Sequence, residues 1–239
     1  LEFRRVLFRS GGLVFDTQGY AVTFNDALES GGGTDGGLVK LGAGTLTLAT
    51  NCTYTGATTV SNGLLLIQAP LASSHLNLAP YGAATLTNAA DFAGALTVAC
   101  GATFSFTANA TTPLSLSTLT LGSDRGPGLL ALDITDAANL DQIAVTTSGG
   151  LDLSRGGALL LYQTGTATRF AANGTYPIFT YSGALSGSVT NLYVANPDLT
   201  KQYLFSEAGG VISLTISDGT GAVWISGADG NWSDNGNWA

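Results

Sequence analysis

The sequence predicts an all-β chain in which short strands stack as a solenoid, and three observations carry the prediction. Hydrophobic residues make up 45% of the 239 positions and charged residues only 10%, enough apolar material for one long core or two small ones. The apolar runs are short and alternate with Thr, Ser or Asn at period two, the spacing of a half-buried strand. Gly, at 33 residues, and Asn-Gly pairs punctuate the runs at close intervals and supply corners where the backbone needs positive φ. Short antiparallel strands in a sandwich or barrel stay open on the same pattern. The abundance of Leu and Ala favours the solenoid, whose narrow interior stacks small and medium apolar side chains from one turn of the chain to the next.

In chain order, Leu1 to Ser10 comes first and holds three of the eight basic residues. Its texture matches nothing downstream. It resembles a translated sequencing-library adapter, so residues 1–10 are expected to be an assembly artefact and are set aside. From Gly11, Leu13-Val14-Phe15 and Tyr20 to Phe24 flank a turn at Gln18-Gly19, and a Gly-rich break follows at Gly31 to Gly37. Leu38 to Leu48 ends in alternating Thr and Leu, which points Leu46 and Leu48 inward. Thr58-Thr59-Val60 and Leu64 to Ile67 flank an Asn62-Gly63 turn. Further runs are Leu76-Asn77-Leu78, Thr85-Leu86-Thr87, Ala95 to Val98, Thr103 to Phe106 and Leu114 to Leu121. None is long enough for an independent helix. One helical turn is allowed at Ala137 to Asp141, between the alternating Leu130 to Ile134 and Ile143-Ala144-Val145.

The last third is more aromatic: Leu151-Asp152-Leu153, Ala158 to Tyr162, Tyr176 to Tyr181, Tyr203-Leu204-Phe205 and Val211 to Ile216. Pro177 lacks a ladder donor, so its run is expected at an edge or beginning after it. Beyond Ile216 the chain turns polar and Trp-rich, which marks a boundary: 11–216 is read as one stacked segment, and 217–239 as the start of a next module or a cover for the end of the stack.

Composition excludes several functions. Sixteen acidic residues against eight basic give a net charge of −8, and without residues 1–10 the balance is five basic against fifteen acidic. Such a surface repels phosphate backbones, so no nucleic-acid partner is expected. No apolar stretch approaches the roughly 20 residues of a spanning helix, so a membrane link is expected only through an anchor elsewhere in a parent chain. The sequence contains no Met, so it is read as an internal fragment. Cys52 and Cys100 form no Cys-x-x-Cys pair and stand beside no histidine, which excludes a structural zinc site; a disulfide between them stays open.

Candidate chemistry is sparse. His75 is the single histidine, and its neighbours form no nucleophile motif. Asp124, Asp133, Asp136, Asp141 and Asp152 are the densest carboxylates and could converge for glycoside chemistry, although turn-forming aspartate is the better reading. Lys40, Arg125, Arg155, Arg169 and Lys201 are too scattered to line a groove for an acidic substrate. Gly31 to Gly37 lacks the order of a calcium-binding coil and is read as a flexible corner. The sequons at Asn51, Asn109, Asn173 and Asn231 are at chance level. Thr45, Thr47, Thr58 and Thr59 are read as an outer-face ladder. Trp224, Trp232 and Trp238 are a candidate glycan-stacking platform. No catalytic residue, cofactor or metal is expected.

Gly37-Leu38-Val39-Lys40-Leu41-Gly42-Ala43-Gly44-Thr45-Leu46-Thr47-Leu48, then Thr53-Tyr54-Thr55-Gly56-Ala57-Thr58-Thr59-Val60 and Gly63-Leu64-Leu65, resemble the autotransporter-associated β-strand repeat over residues 37–67. The resemblance implies a right-handed, single-stranded parallel β-helix, with a closing part that is variable and antiparallel-rich. It implies a non-enzymatic passenger segment of a secreted or cell-surface protein at the outer membrane of a Gram-negative bacterium, an extended stalk that supports export and adhesion. The expected partners are neighbouring repeats of the same parent chain, and glycans or host or substratum surfaces. The alternative is a carbohydrate-active or carbohydrate-binding β-helix.

Overall fold

The computed structural model of the chain describes the backbone of residues 6–8 and residues 11–32, 35–108 and 112–219. Strands are laid down in rotation on three sides. A seven-stranded first sheet takes Leu13–Asp16, Leu38–Leu41, Thr58–Val60, His75–Leu78, Ala95–Val98, Leu119–Leu121 and Leu151–Asp152, in that spatial order. An eight-stranded second sheet takes Val22–Phe24, Thr45–Leu48, Gly63–Ile67, Gly82–Leu86, Thr103–Phe106, Gly128–Ile134, Gly157–Gln163 and Leu192–Val194. Every pair in both sheets is parallel. The chain therefore returns to each sheet once per circuit, one strand further along.

Period-two alternation does the sorting. In the second sheet the register links Leu46, Leu65, Ala84, Phe104, Leu130, Leu159 and Val194 into one inward column, all buried. A neighbouring column runs Phe24, Leu48, Ile67, Leu86 and Phe106. Leu46 and Leu48 thus point inward as the alternation requires. Each Leu in such a column removes its side chain from water, worth about 1.5–3 kcal/mol, and meets another apolar side chain one strand spacing away.

The third side is less regular. Leu28–Ser30 pairs in parallel with Val6–Phe8, a strand supplied by the run set aside above. A single Cys52 to Leu71 bridge and a 3-10 turn at Ala89–Asp91 carry the middle circuits, and Leu114–Leu116, Ile143–Val145 and Gly174–Tyr181 complete the parallel part. The side then ends in antiparallel strands: Val211–Asp218 pairs with Gly174–Tyr181, and Lys201–Ala208 with Val211–Asp218.

Several sequence expectations change on inspection of the fold. Asn62-Gly63 is not a hairpin turn, because the strands on either side of it belong to different sheets; it is a corner. Gly63 has φ +70°, and a Cβ there would sit 2.5 Å from the Gly44 carbonyl oxygen of the previous circuit, so the corner tolerates only glycine. Leu114 to Leu121 is likewise two strands on two sides. Ala137 to Asp141 forms no helical turn: Asp136 accepts hydrogen bonds from the Ala138 and Asn139 backbone N–H groups and closes a tight loop instead. Pro177 lies within Gly174–Tyr181, not at its start. It is accommodated at a register shift, where the parallel neighbour Ile143–Val145 pairs only from Phe179 onward, and its carbonyl accepts the Gln142 side-chain N–H at 2.9 Å.

At the far end of the second sheet the Asn196 side chain acts as an extra peptide. Its Oδ1 accepts the Leu161 N–H at 2.9 Å and its Nδ2 donates to the Leu161 carbonyl at 3.0 Å. Phe170 packs edge-on against Tyr176 at 5.2 Å, and Arg169 pairs with Asp198 at 2.9 Å. Among the described residues no helix is long and apolar enough to cross a membrane.

Candidate functional site

The polar chemistry of greatest consequence lies inside the stack. Lys40 shares the inward parity of Leu38, so its column runs Phe15, Lys40, Val60, Leu78, Val98 and Leu121. The lysine is fully buried, at 0% exposure. Its aliphatic stem fills the column, and its ammonium turns into the corner between the first and second sheets. There Nζ donates to the carbonyls of Gly42 at 2.7 Å, Asn62 at 2.9 Å and Leu41 at 3.1 Å, and to Thr17 Oγ1 at 3.2 Å. Thr17, Leu41 with Gly42, and Asn62 belong to three successive circuits, so one cation ties three corners. Burial pushes the ammonium below its ordinary value, and the Asp16 carboxylate opposes that shift.

One column away a second polar group is enclosed. Thr58 lies inward between Leu38 and Leu76 and is buried, which corrects its reading as an outer-face threonine; Thr45, Thr47 and Thr59 do face outward. Tyr54 Oη contacts Thr58 Oγ1 at 2.7 Å, Thr58 donates to Ser73 Oγ at 3.0 Å, and Ser73 donates to the Gly56 carbonyl at 2.8 Å. Burial raises the Tyr54 phenol well above its ordinary value, so it stays a neutral donor. Thr58→Val keeps the shape and removes the middle of this chain. It is expected to cost about 1–3 kcal/mol, seen as a lower urea midpoint at unchanged slope.

The five aspartates separate. Asp124 pairs with Arg155 at 2.5 Å on the surface, and Asp152 accepts the Ser154 N–H at 2.9 Å in a local turn. Asp136 is held below the usual carboxylate range by the Asn139 side chain and the Ala138 N–H. Only Asp133 and Asp141 approach each other. Asp141 is 2% exposed; its carboxylate accepts the Ala108 N–H at 2.8 Å and the Asp133 N–H at 2.9 Å. Burial pushes it up to about 6, with the Asp133 charge adding and the two N–H donors opposing. A hollow of about 410 Å³ nearby is lined by Ile134, Thr135, Gln163, Thr164, Phe170, Ala171 and Ala172, with no carboxylate among them.

The remaining candidates also stay apart. His75 Nε2 contacts Thr97 Oγ1 at 2.9 Å across neighbouring strands of the first sheet, and burial lowers its pKa. Cys52 is buried on the third side and Cys100 half-buried at a corner between the first and second sheets; both are free thiols, so the disulfide left open by the sequence is not formed. Of the scattered cations, Arg169 and Lys201 pair with Asp198 and Asp218. In the Gly31 to Gly37 corner Asp35 accepts from Ser30, Gly31 and Thr55, which holds its carboxyl below the usual range. Trp224, Trp232 and Trp238 lie outside the described residues. Among those residues, no group of three or more His, Cys, Asp or Glu could hold a metal ion.

Sequence reasoning missed Lys40, Tyr54, Thr58 and Ser73 as interior residues. A signal existed for two of them: Lys40 and Thr58 stand two residues from Leu38 and Val60, on the same parity as a buried neighbour.

No curated protein matches the chain. The segment that holds Lys40, Tyr54, Thr58 and the Asn62-Gly63 corner does match a family: residues 38–67 fit the family model of the passenger-associated-transport-repeat.

Proposed function

We propose that this chain is a non-catalytic passenger segment of an autotransporter-like protein, a right-handed parallel β-helix that serves as an extended stalk outside the cell. The carrying observation is that the distinctive polar residues of the matched repeat are internal fasteners. Lys40, Tyr54 and Thr58 spend their hydrogen bonds on neighbouring circuits and present nothing to a ligand. The rotation of strands over three sides supports the β-helix reading, and the usual hand of parallel crossovers supports a right-handed one. Support of export across a Gram-negative outer membrane and adhesion by the parent protein are the roles that a stalk of this kind fits.

A stalk of stacked circuits is shortened by whole units. Removing residues 65–83, one circuit by the Leu65 to Ala84 register, is expected to leave a cooperatively folding protein shorter by about 4.8 Å along its axis. Removing residues 65–74 instead places His75 and Asn77 in the inward positions of Leu65 and Ile67, reversing the parity, and is expected to abolish folding. Small-angle scattering and circular dichroism read both outcomes, and a half-circuit deletion that folds normally would sink the β-helix reading. For the export role, the chain is fused upstream of an outer-membrane barrel, with and without the Lys40→Leu change. Equal surface display of both, measured by protease shaving, counts against a contribution of the repeat to export.

A further inference from the structure

The corner at Asn62-Gly63 brings together the parts of a covalent rearrangement. Gly63 N donates to the Asn62 side-chain Oδ1 at 2.7 Å, so the backbone nitrogen already faces the amide carbon that carries this oxygen. With no Cβ on Gly63, nothing beside that nitrogen obstructs the approach. The same N–H lies 3.2 Å from the Tyr81 carbonyl of the next circuit, a second acceptor that pulls on its proton. Asn62 is exposed, which gives water an entry and a leaving group an exit.

The buried cation completes the site. The Asn62 carbonyl belongs to the same peptide group as the Gly63 nitrogen, and it accepts the Lys40 ammonium at 2.9 Å. A peptide N–H has to lose its proton before the nitrogen becomes a nucleophile, and the resulting negative charge is shared onto the carbonyl oxygen. A cation hydrogen-bonded to that oxygen stabilises the anion, the more so away from water. The other partners of Nζ are all neutral: Thr17 Oγ1 and the Leu41 and Gly42 carbonyls. The Asp16 carboxylate nearby favours the charged form of the lysine.

We propose that Asn62-Gly63 is a self-modifying site, at which the Lys40 ammonium promotes loss of ammonia from Asn62 and leaves an aspartyl or isoaspartyl residue. Gly63 N releases its proton to water and bonds to Asn62 Cγ. The Cγ–Nδ2 bond breaks, and the nitrogen takes up a proton from water and departs as ammonia. Water then opens the cyclic imide at one of its two carbonyls, and nothing is oxidised or reduced. The carbonyl held by Lys40 is the more polarised, so opening there is favoured. That route leaves isoaspartate: the main chain continues through Cγ, and the former carbonyl becomes a carboxylate beside the ammonium.

Peptide mapping by mass spectrometry, with enzymatic methylation to detect isoaspartate, tests the proposal on the full chain incubated at mildly alkaline pH, folded or in urea. Unfolding separates Lys40 from Asn62, so the same residue reports its own unassisted rate. Conversion of Asn62 is expected to run about tenfold faster in the folded chain, the size of effect that one charge-assisted hydrogen bond supplies, with isoaspartate the main product. Folded Lys40→Leu is expected to fall to the rate in urea. Where that variant does not fold, the comparison of folded and unfolded wild type decides alone. Thr17→Val removes a neighbour of the ammonium but leaves the ammonium on Asn62, and is expected to keep the fast rate, which a merely structural role of the tie does not produce. A folded chain that converts Asn62 no faster than the unfolded one overturns the proposal, as does a fast rate in folded Lys40→Leu or a slow one in folded Thr17→Val.

Discussion

Lys40→Leu is expected to lower the unfolding free energy by about 3–5 kcal/mol, the largest effect of any single substitution outside the apolar columns. Two terms oppose each other. Removing the ammonium relieves the cost of burying a charge, and a leucine of similar volume still fills the column between Phe15 and Val60. Against this, the carbonyls of Gly42 and Asn62 and the Thr17 hydroxyl lose their common donor, while the Leu41 carbonyl keeps the Thr17 N–H and hydroxyl. Orphaned acceptors cost about 1–3 kcal/mol each, so with two carbonyls affected the loss outweighs the relief. Urea unfolding followed by circular dichroism should show a lower midpoint with the same slope. A loss under 1 kcal/mol would mean that the corners close on their own. Lys40→Arg should not rescue, because a guanidinium is too broad for a site shaped around one nitrogen.

The second large effect is on pH dependence and belongs to Asp141. Its folded-state pKa of about 6 lies above the ordinary carboxyl value of 3.8. Between those values the folded chain holds a proton that the unfolded chain has released. The stability Asp141 contributes is therefore fully present below about 4 and is lost as pH rises through about 6, by at most about 3 kcal/mol. Unfolding midpoints of wild type and Asp141→Asn compared from pH 4 to 7 should differ in slope: the asparagine variant lacks this decline. It should also be less stable at every pH, since an amide cannot accept from both the Ala108 and Asp133 N–H groups. Parallel curves for the two proteins would show that Asp141 does not titrate in this range.

Much of the fold was legible because the interior is built on parity. Wherever Thr and Leu alternate, as from Thr45 to Leu48, the inward set could be read directly. The sidedness of the strands could not, since Asn62-Gly63 serves a hairpin and a corner with the same backbone freedom. Lys40 was legible in principle, because it shares Leu38's parity. Expectation that a lysine faces water hid it, and only the four oxygens around Nζ show why burial is tolerated. Asp141 was beyond reach: what holds its carboxylate is a backbone N–H at Ala108, 33 residues away in sequence. The antiparallel close follows from the longer aromatic strands after Gly174, which pair as a hairpin instead of completing another circuit.

The perpendicular setting of strands to the stacking direction decides how the molecule bears load. Tension along the axis pulls neighbouring strands apart one hydrogen bond at a time, so the chain unravels from an end instead of shearing as a block. Each circuit released, such as that from Leu65 to its partner Ala84, pays out about 20 residues, or about 65 Å of extended polypeptide. Anchored at one end and gripped at the other, the protein would lengthen in steps of that size. The threefold tie at Lys40 would mark the circuits that yield last.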